Sequence, residues 1–341
     1  MVEFPSLEWS RVSPTDVGFS ADKLALAVSD LDELAGQRGY RLAIVKDGLL
    51  AGESHRGFAP DEPLAIASAA KSFYSNILGI AVADGKLPSV DAPVIDIYPE
   101  LVDVPEGQGP KEGRYAFPKD AAITYRQLIG NTSGYMKPGE EPGEVFHYQT
   151  YGMNILTHAV AKAYGLYDTA DPEGSPGFQV LIQERLAEPI GAIFDYTLTN
   201  FDLHAKARLA IFGYYCQMHA RSLDLARAGW LWCNYGCWGD EQVIPEAWMQ
   251  ASVAVNPDIV KHEPESQWTY GYGFWTNAAG VLWPDLPRDG FTAAGAGGHY
   301  ISVFPSQGLV IVQNPGPYHN ARPDGTVANG DFLAMVLDAL R

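Results

Sequence analysis

Apolar residues recur at helical spacing in the segment 64–85, LAIASAAKSFYSNILGIAVADG. A short apolar run over residues 64–67 leads into Ser68, and from there apolar side chains repeat every three or four residues, as on one face of a helix. Gly85 stands where helices commonly end, because glycine readily adopts the left-handed backbone that follows a helix. The pattern therefore predicts a helix that begins at Ser68 and ends near Gly85.

Runs of β-branched and aromatic residues predict strands near both ends of the chain, and periodic apolar segments predict helices between them. Asp47-Gly48 separates two strand-like runs and is typical of a two-residue hairpin turn. The predicted strands cover residues 41–46, 49–54, 270–276, 300–304 and 309–313. The predicted helices, besides the Ser68 helix, cover residues 21–34, 123–128, 154–164, 178–186 (ended by Pro189), 221–232, 245–251 and 331–340.

This order of elements predicts an α/β (α+β) fold. An antiparallel sheet is built from both chain ends and flanked by helices, and a mostly helical domain is inserted between its strands. We predict the sheet domain at residues 1–58 and 265–341 and the helical domain at residues 59–264. The Ser68 helix then lies at the junction, where clefts tend to form. Two loops, residues 101–119 and 135–144, are predicted to wall that cleft.

Ser68 and Lys71 lie three residues apart, so their side chains are neighbours on the surface of the predicted helix. A serine hydroxyl becomes an effective nucleophile when a base removes its proton. Lysine can be that base once burial lowers its pKa well below about 10.4. The spacing alone leaves a second interpretation open, a helix cap beside a surface lysine. That interpretation fits Ser20 and Lys23, which have the same spacing at the start of another predicted helix.

Two later segments could complete a site around Ser68. The phenol of Tyr148 could pass a proton, since a nearby cation favours its ionised form. Residues 293–299, AAGAGGH, precede an apolar strand, and glycine there allows backbone N–H groups to approach a ligand closely. Each segment also has a structural interpretation: Tyr148 is one of 18 tyrosines and could simply pack, and the glycines could form a tight entry to the strand.

Composition narrows the classes of partner. The net charge of −18 argues against nucleic acid and anionic membranes, which need basic surfaces. Residues 1–10 lack the basic and apolar regions of a signal peptide, and no apolar run approaches the length of a transmembrane span. Cys216, Cys233 and Cys237 are expected to be free thiols, without the spacing of a zinc site. We therefore expect a cytoplasmic protein without metal or cofactor that acts on a small molecule.

The three segments together resemble the β-lactamase-fold serine hydrolases, which include class C β-lactamases, related carboxylesterases, penicillin-binding-protein relatives and 6-aminohexanoate-dimer hydrolases. Residues 66–72 (IASAAKS) resemble the Ser-x-x-Lys motif, and residues 142–148 (PGEVFHY) resemble the segment that ends in the tyrosine of the second motif. Residues 123–128 with 131–134, and residues 295–300, resemble two further segments of that family.

The chain departs from the family pattern at three places. Thr150 stands where many relatives have Asn, His299 stands where relatives often have Gln, and no Lys-Thr-Gly occurs near Ala293. In β-lactamases the lysine of that triplet helps to hold the substrate carboxylate. The resemblance therefore implies that β-lactams are not the main substrates of this chain.

The resemblance implies an acyl-enzyme mechanism on an ester or amide, with Ser68 as nucleophile and Lys71 and Tyr148 as proton-transfer partners. Backbone N–H groups of Ser68 and Ala296 would form the oxyanion hole. The predicted substrate contacts are Tyr135, Trp275, Gly295, Gly297 and His299. Two alternatives remain: an acyltransferase with the same triad, and a non-catalytic binding protein on the same fold.

Overall fold

The computed structural model of the chain describes residues 3–200, 203–317 and 329–340. In chain order, its strands are β1 Tyr40–Lys46, β2 Leu49–Arg56, β3 Leu64–Ala65, β4 Phe194–Thr199, β5 Tyr215–Ala220, β6 Cys237–Trp238, β7 Glu241–Gln242, β8 Trp275–Thr276, β9 Phe291–Gly295, β10 His299–Phe304 and β11 Leu309–Gln313. Its α-helices are α1 Ala21–Ala35, α2 Ala70–Ala83, α3 Tyr125–Ile129, α4 Tyr151–Ala163, α5 Gln179–Ile182, α6 Glu188–Ile190, α7 Leu209–Phe212, α8 Ser222–Cys233, α9 Glu246–Val253, α10 Pro257–His262 and α11 Gly330–Ala339.

The main sheet has six antiparallel strands in the order β2-β1-β11-β10-β9-β8, so strands from the two ends of the chain pair at its centre. This arrangement confirms the predicted fold class. The β1–β2 hairpin turns at Asp47 and Gly48, whose φ angles of 54° and 86° are the left-handed values that such a turn requires. Helices α1 and α11 pack together over one face of the sheet, and α8 packs on the other.

Helix α2 lies at the centre of the molecule. Its residues from Ala70 to Ala81 are all buried, as expected for a helix that is surrounded by other elements. The Phe73 ring meets Phe194 and Trp232 edge-on, at centroid distances of 5.3 and 5.2 Å. The predicted helix start is wrong by two residues, because Ser68 lies in a single 3₁₀ turn, Ala67–Ala69, that precedes α2.

The region predicted to be mostly helical also contains a second sheet, in the order β3-β5-β4. The sequence pattern missed it because its strands are short and β4 is largely exposed. The predicted helix end at Pro189 is also wrong. A π-helical turn over Gln183–Ala187 carries the chain into α6, which includes Pro189, and the helix ends at Gly191 in the left-handed conformation.

Of the strand predicted over residues 270–276, only the last two residues form a strand, β8. Tyr270 pairs with Trp275 in an isolated β-bridge. The predicted closing helix is confirmed as α11. In the described ranges, no helix combines the length and apolar character needed to cross a bilayer.

Candidate active site

The turn that carries Ser68 is held in a strained conformation. Ala67 has a φ of 49°, a left-handed value that costs a non-glycine residue about 1–3 kcal/mol. Strand β3 pairs with β5 immediately before this turn, and the Ile66 amide donates to Met218 O at 3.0 Å. The short second sheet therefore fixes the backbone that leads into Ser68. Ser68 itself is only partly buried.

Lys71 donates from Nζ to Ser68 Oγ at 2.7 Å. Its side chain enters the core, since Lys71 is only 1% exposed. The other pair with the same spacing is different: Lys23 has a side chain that is 52% exposed and forms an ion pair with Asp338. Burial and direct contact therefore distinguish the Ser68 pair from the Ser20 pair, although the two have the same sequence spacing.

Tyr148 lies beside this pair. The Lys71 Nζ lies 4.7 Å from the centroid of the Tyr148 ring. Trp275 packs against the same ring at 5.7 Å, and Tyr270 meets it edge-on at 5.8 Å. The structure thus brings together Ser68, Lys71, Tyr148 and Trp275, four of the residues predicted from the sequence.

Asn131 holds the Tyr148 segment in place, a role that the sequence pattern did not reveal. Its backbone oxygen accepts from the His147 amide at 2.8 Å, and its Oδ1 accepts from the Gln149 amide at 2.9 Å. Its Nδ2 donates to Tyr270 Oη at 3.2 Å. Because Asn tolerates left-handed backbone better than most residues, the φ of 57° at Asn131 favours this residue type.

Tyr270 is fully buried beside Tyr148. Burial raises the pKa of Tyr270 well above its usual value, and the neighbouring Tyr148 adds to the increase. Tyr270 therefore remains a neutral phenol, which leaves Tyr148 as the partly exposed phenol beside Lys71.

The glycine-rich hairpin between β9 and β10 contacts the Ser68 turn. A Cβ atom on Gly295 would lie 2.1 Å from Ile66 O and 3.0 Å from the Ala69 amide nitrogen. Ala296 follows directly and is exposed at the turn, and Gly297 has a φ of 92°. The absence of a side chain at Gly295 therefore lets the end of the strand approach the backbone on both sides of Ser68.

We expect Gly295→Ala to lower the free energy of unfolding by about 1–3 kcal/mol, because the added methyl group overlaps backbone that cannot move independently. Urea unfolding followed by circular dichroism measures the change. Gly52→Ala is the matched control in another strand of the same sheet, where the added Cβ would lie at an ordinary 3.5 Å from Ile44. Equal stability of the two variants would contradict the close approach at Gly295.

Comparison with known protein families identifies the family of this chain. The family model named Beta-lactamase matches residues 24–314. The chain belongs to the beta-lactamase family. No curated protein matches it.

Solved structures have the same fold at low identity. A candidate beta-lactamase from Bacteroides dorei has 18% identity and a TM-score of 0.68, with 94% of this chain and 98% of that chain covered. A candidate 6-aminohexanoate-dimer hydrolase from Bacillus anthracis has 18% identity and a TM-score of 0.61, with coverage of 90% and 80%. EstCE1, described as a hydrolase with promiscuous acyltransferase activity, has 13% identity and a TM-score of 0.62, with coverage of 94% and 98%.

Two residues predicted to contact the substrate, Tyr135 and His299, form hydrogen bonds within this beta-lactamase family member. Tyr135 is fully buried and donates to Leu101 O at 2.7 Å, so its side chain belongs to the core and the predicted substrate contact is corrected. His299 is buried at the start of β10, where its Nδ1 lies 2.6 Å from Asn314 Oδ1. Asn314 in turn donates to Ala220 O at 2.9 Å, which ties the hairpin to the second sheet.

A cavity of about 380 Å³ includes Tyr148 in its lining, whereas neither Ser68 nor Lys71 lines it. Both loops of residues 101–119 and 135–144 contribute to the walls of this cavity. The lining residues are Lys111, Arg114, Lys137, His147, Tyr148, Gln149, Thr150 and Tyr151. A larger cavity of about 700 Å³ lies between α1 and the β1–β2 hairpin and includes none of the predicted site residues.

No cluster of three or more His, Cys, Asp or Glu side chains suited to a metal ion occurs in the part of the chain that the structure describes. The groups that the structure places around Ser68 include the Lys71 amine, the Tyr148 phenol and the backbone amides of the neighbouring turn.

Proposed function

We propose that this chain is a serine hydrolase that cleaves a carboxylic ester or amide through an acyl-enzyme on Ser68. The observation that carries the proposal is the 2.7 Å contact between Ser68 Oγ and the Nζ of a buried lysine. An amine in this position can accept the hydroxyl proton as the nucleophile attacks.

In the first half of the reaction, Ser68 Oγ attacks the carbonyl carbon and passes its proton to the amine of Lys71. Collapse of the tetrahedral intermediate breaks the bond to the leaving oxygen or nitrogen, which receives a proton through Tyr148. Water then attacks the acyl carbonyl carbon and gives one proton to the Lys71–Tyr148 pair. The bond to Ser68 Oγ breaks, the pair returns that proton to Oγ, and the carboxylic acid leaves. Serine, lysine and tyrosine thus return to their starting states.

The oxyanion of each intermediate would be bound by the backbone N–H groups of Ser68 and Ala296. The approach of Gly295 to the Ser68 turn supports this assignment, because Ala296 follows Gly295 directly at the start of the β9–β10 turn. Oxyanion donors of this kind commonly contribute a hundredfold or more to kcat.

The proposal is tested by stopped-flow hydrolysis of p-nitrophenyl butyrate with enzyme and substrate at comparable concentrations. An acyl-enzyme predicts an initial burst of nitrophenol followed by a slower steady rate, together with a butyryl group on the Ser68 peptide after acid quenching. Hydrolysis without any acyl group on Ser68 would refute the mechanism, and no reaction with either esters or amides would favour the non-catalytic alternative.

Tyr148→Phe is expected to lower kcat about tenfold to a hundredfold, because the phenol that relays the proton is lost. The ring packing against Trp275 and Tyr270 is retained, so the melting temperature should change little. The loss of kcat should be larger for esters with poor leaving groups than for p-nitrophenyl esters, since nitrophenolate needs no proton to leave. An equal loss for both kinds of ester would contradict the relay.

An acyltransferase would use the same acyl-enzyme and differ only in the acceptor. EstCE1 is described as having such an activity besides hydrolysis. Product analysis by chromatography, with a primary alcohol added to the ester assay, separates the two functions. Butyrate as the main product supports the hydrolase, whereas predominant formation of the alkyl butyrate would assign the chain as an acyltransferase.

A further inference from the structure

The residues that flank helix α10 are hydrogen-bonded to two segments around Tyr148. Before the helix, the Asn256 amide donates to Tyr270 O at 2.9 Å, and the Tyr270 ring meets the Tyr148 ring edge-on. After the helix, Glu263 Oε1 accepts a hydrogen bond from the Phe146 amide at 2.8 Å. Phe146 lies two residues before Tyr148. One short element of the fold is therefore bonded both to the tyrosine segment and to the residue whose ring packs against it.

Helix α10 itself is bonded to the loop that holds Tyr148. Asp258 Oδ2 accepts from Thr132 Oγ1 at 2.9 Å and from Arg126 Nη1 at 3.1 Å. Both side chains of the Asp258–Arg126 ion pair are largely buried, so water screens the pair less than it screens a surface pair. Thr132 directly follows Asn131, which binds the amides on both sides of Tyr148. The helix is thus fixed to the same loop that supports the tyrosine.

Glu263 has a fixed backbone. Its amide donates to Ile259 O at 2.8 Å, and its carbonyl oxygen accepts from Trp268 Nε1 at 3.1 Å. Glu263 is partly buried, and its carboxylate bond to the Phe146 amide is charge-assisted. Such bonds are roughly twice as strong as those between neutral groups. The Phe146 amide is therefore held by a strong acceptor that has little freedom to move.

We propose that Glu263 is a positioning residue for Tyr148: its carboxylate fixes the backbone at Phe146 and thereby the place of the phenol beside Lys71. The inference rests on the proposed function, in which Tyr148 gives a proton to the leaving atom. Proton transfer requires the two heavy atoms to lie within hydrogen-bonding reach. A shift of the tyrosine segment by about 1 Å would therefore slow this step, while Ser68 and its base stay in place.

The kinetic test measures kcat for phenyl butyrate and for p-nitrophenyl butyrate. Glu263→Ala is expected to lower kcat for phenyl butyrate about tenfold. The loss for p-nitrophenyl butyrate should be smaller, because nitrophenolate leaves without a proton. Glu263→Gln should stay within about twofold of the wild type for both esters, since the amide oxygen of glutamine can still accept from the Phe146 N–H. Glu265→Ala is the matched control, because Glu265 is an exposed glutamate two residues further along the chain.

A double-mutant comparison separates positioning of Tyr148 from a general effect on the fold. In the Tyr148→Phe background the phenol is already absent, so Glu263→Ala should lower kcat by less than about twofold further. The same loss in both backgrounds would overturn the proposal, as would equal losses in Glu263→Ala and Glu263→Gln. Glu263→Met has nearly the length of glutamate without an oxygen, and it should show the same loss as Glu263→Ala if the smaller side chain impairs folding.

Failure of the positioning and failure of the hydrolase are distinguishable by fluorine NMR of protein that contains 3-fluorotyrosine. The Tyr148 resonance is identified by its absence in Tyr148→Phe, and its measurement needs no turnover. We expect this resonance to shift or broaden in Glu263→Ala and to stay unchanged in Glu263→Gln and Glu265→Ala. An unmoved resonance in Glu263→Ala would refute the positioning, even if Ser68 proves to be the nucleophile. A moved resonance in a protein that hydrolyses no ester or amide would support the positioning and contradict the hydrolase.

Discussion

Replacing Ser68 with alanine is expected to lower kcat for p-nitrophenyl butyrate by at least about a thousandfold, because no acyl-enzyme can form without the hydroxyl. The substitution removes one oxygen from a partly buried turn and deletes the acceptor of the Lys71 hydrogen bond. The fold should remain intact, since the turn is held by backbone bonds around Ile66. Steady-state kinetics on purified protein, with circular dichroism to verify folding, measures the effect.

Ser20→Ala is the matched control. Ser20 stands at the N-terminus of α1, makes no side-chain capping bond and shares the Ser-x-x-Lys spacing with Lys23. The activity of Ser20→Ala should stay within about twofold of the wild type, because the substitution lies away from the site. Undiminished activity of Ser68→Ala, or an equal loss in both variants, would contradict the assignment of the nucleophile.

Lys71→Met is expected to lower kcat by about a hundredfold to ten-thousandfold, the usual contribution of a general base. Methionine fills a similar volume in the core, so the loss should come from the missing amine rather than from unfolding. Lys71→Arg provides the sharper comparison, because arginine is also a long basic side chain but stays protonated in a protein and cannot accept a proton. If Lys71 accepts the serine proton, arginine should not restore activity.

Lys23→Met controls for the general effect of removing one lysine from an acidic chain, and its activity should match that of the wild type. Activity close to the wild type in Lys71→Arg would show that Lys71 acts through its charge and that another group takes the proton. Single-turnover measurement of the acylation rate, rather than kcat alone, identifies the step at which each variant fails.

The outline of the fold could be predicted from the sequence because its signals are local. Asp47-Gly48 requires left-handed backbone at two successive positions, and the observed φ angles of 54° and 86° meet that requirement. Strands β10 and β11 follow from β-branched runs on either side of a short turn. The three-residue spacing of Ser68 and Lys71 likewise allows their side chains to lie on the same side of a helical turn. The burial of Lys71, which distinguishes this pair from Ser20 and Lys23, depends on tertiary packing.

The remaining features depend on contacts between distant parts of the chain. Strand β4 is mostly exposed and exists because it pairs with β5, and no local period predicts that pairing. Tyr135, in a polar loop, was expected to face a substrate, but a hydrogen bond to Leu101 O holds it in the core. The support that Asn131 and Glu263 give to the Tyr148 segment also arises only when separate parts of the chain meet.

The central claim, that Ser68 is an activated nucleophile, is tested most directly by covalent labelling with a fluorophosphonate probe. Folded protein is incubated with the probe and analysed by intact-mass spectrometry and peptide mapping. The mechanism predicts one adduct per chain, on the peptide that contains Ser68, with labelling retained in Ser20→Ala and lost in Ser68→Ala. Folded protein that takes up no probe, or carries it on a residue other than Ser68, would contradict the claim.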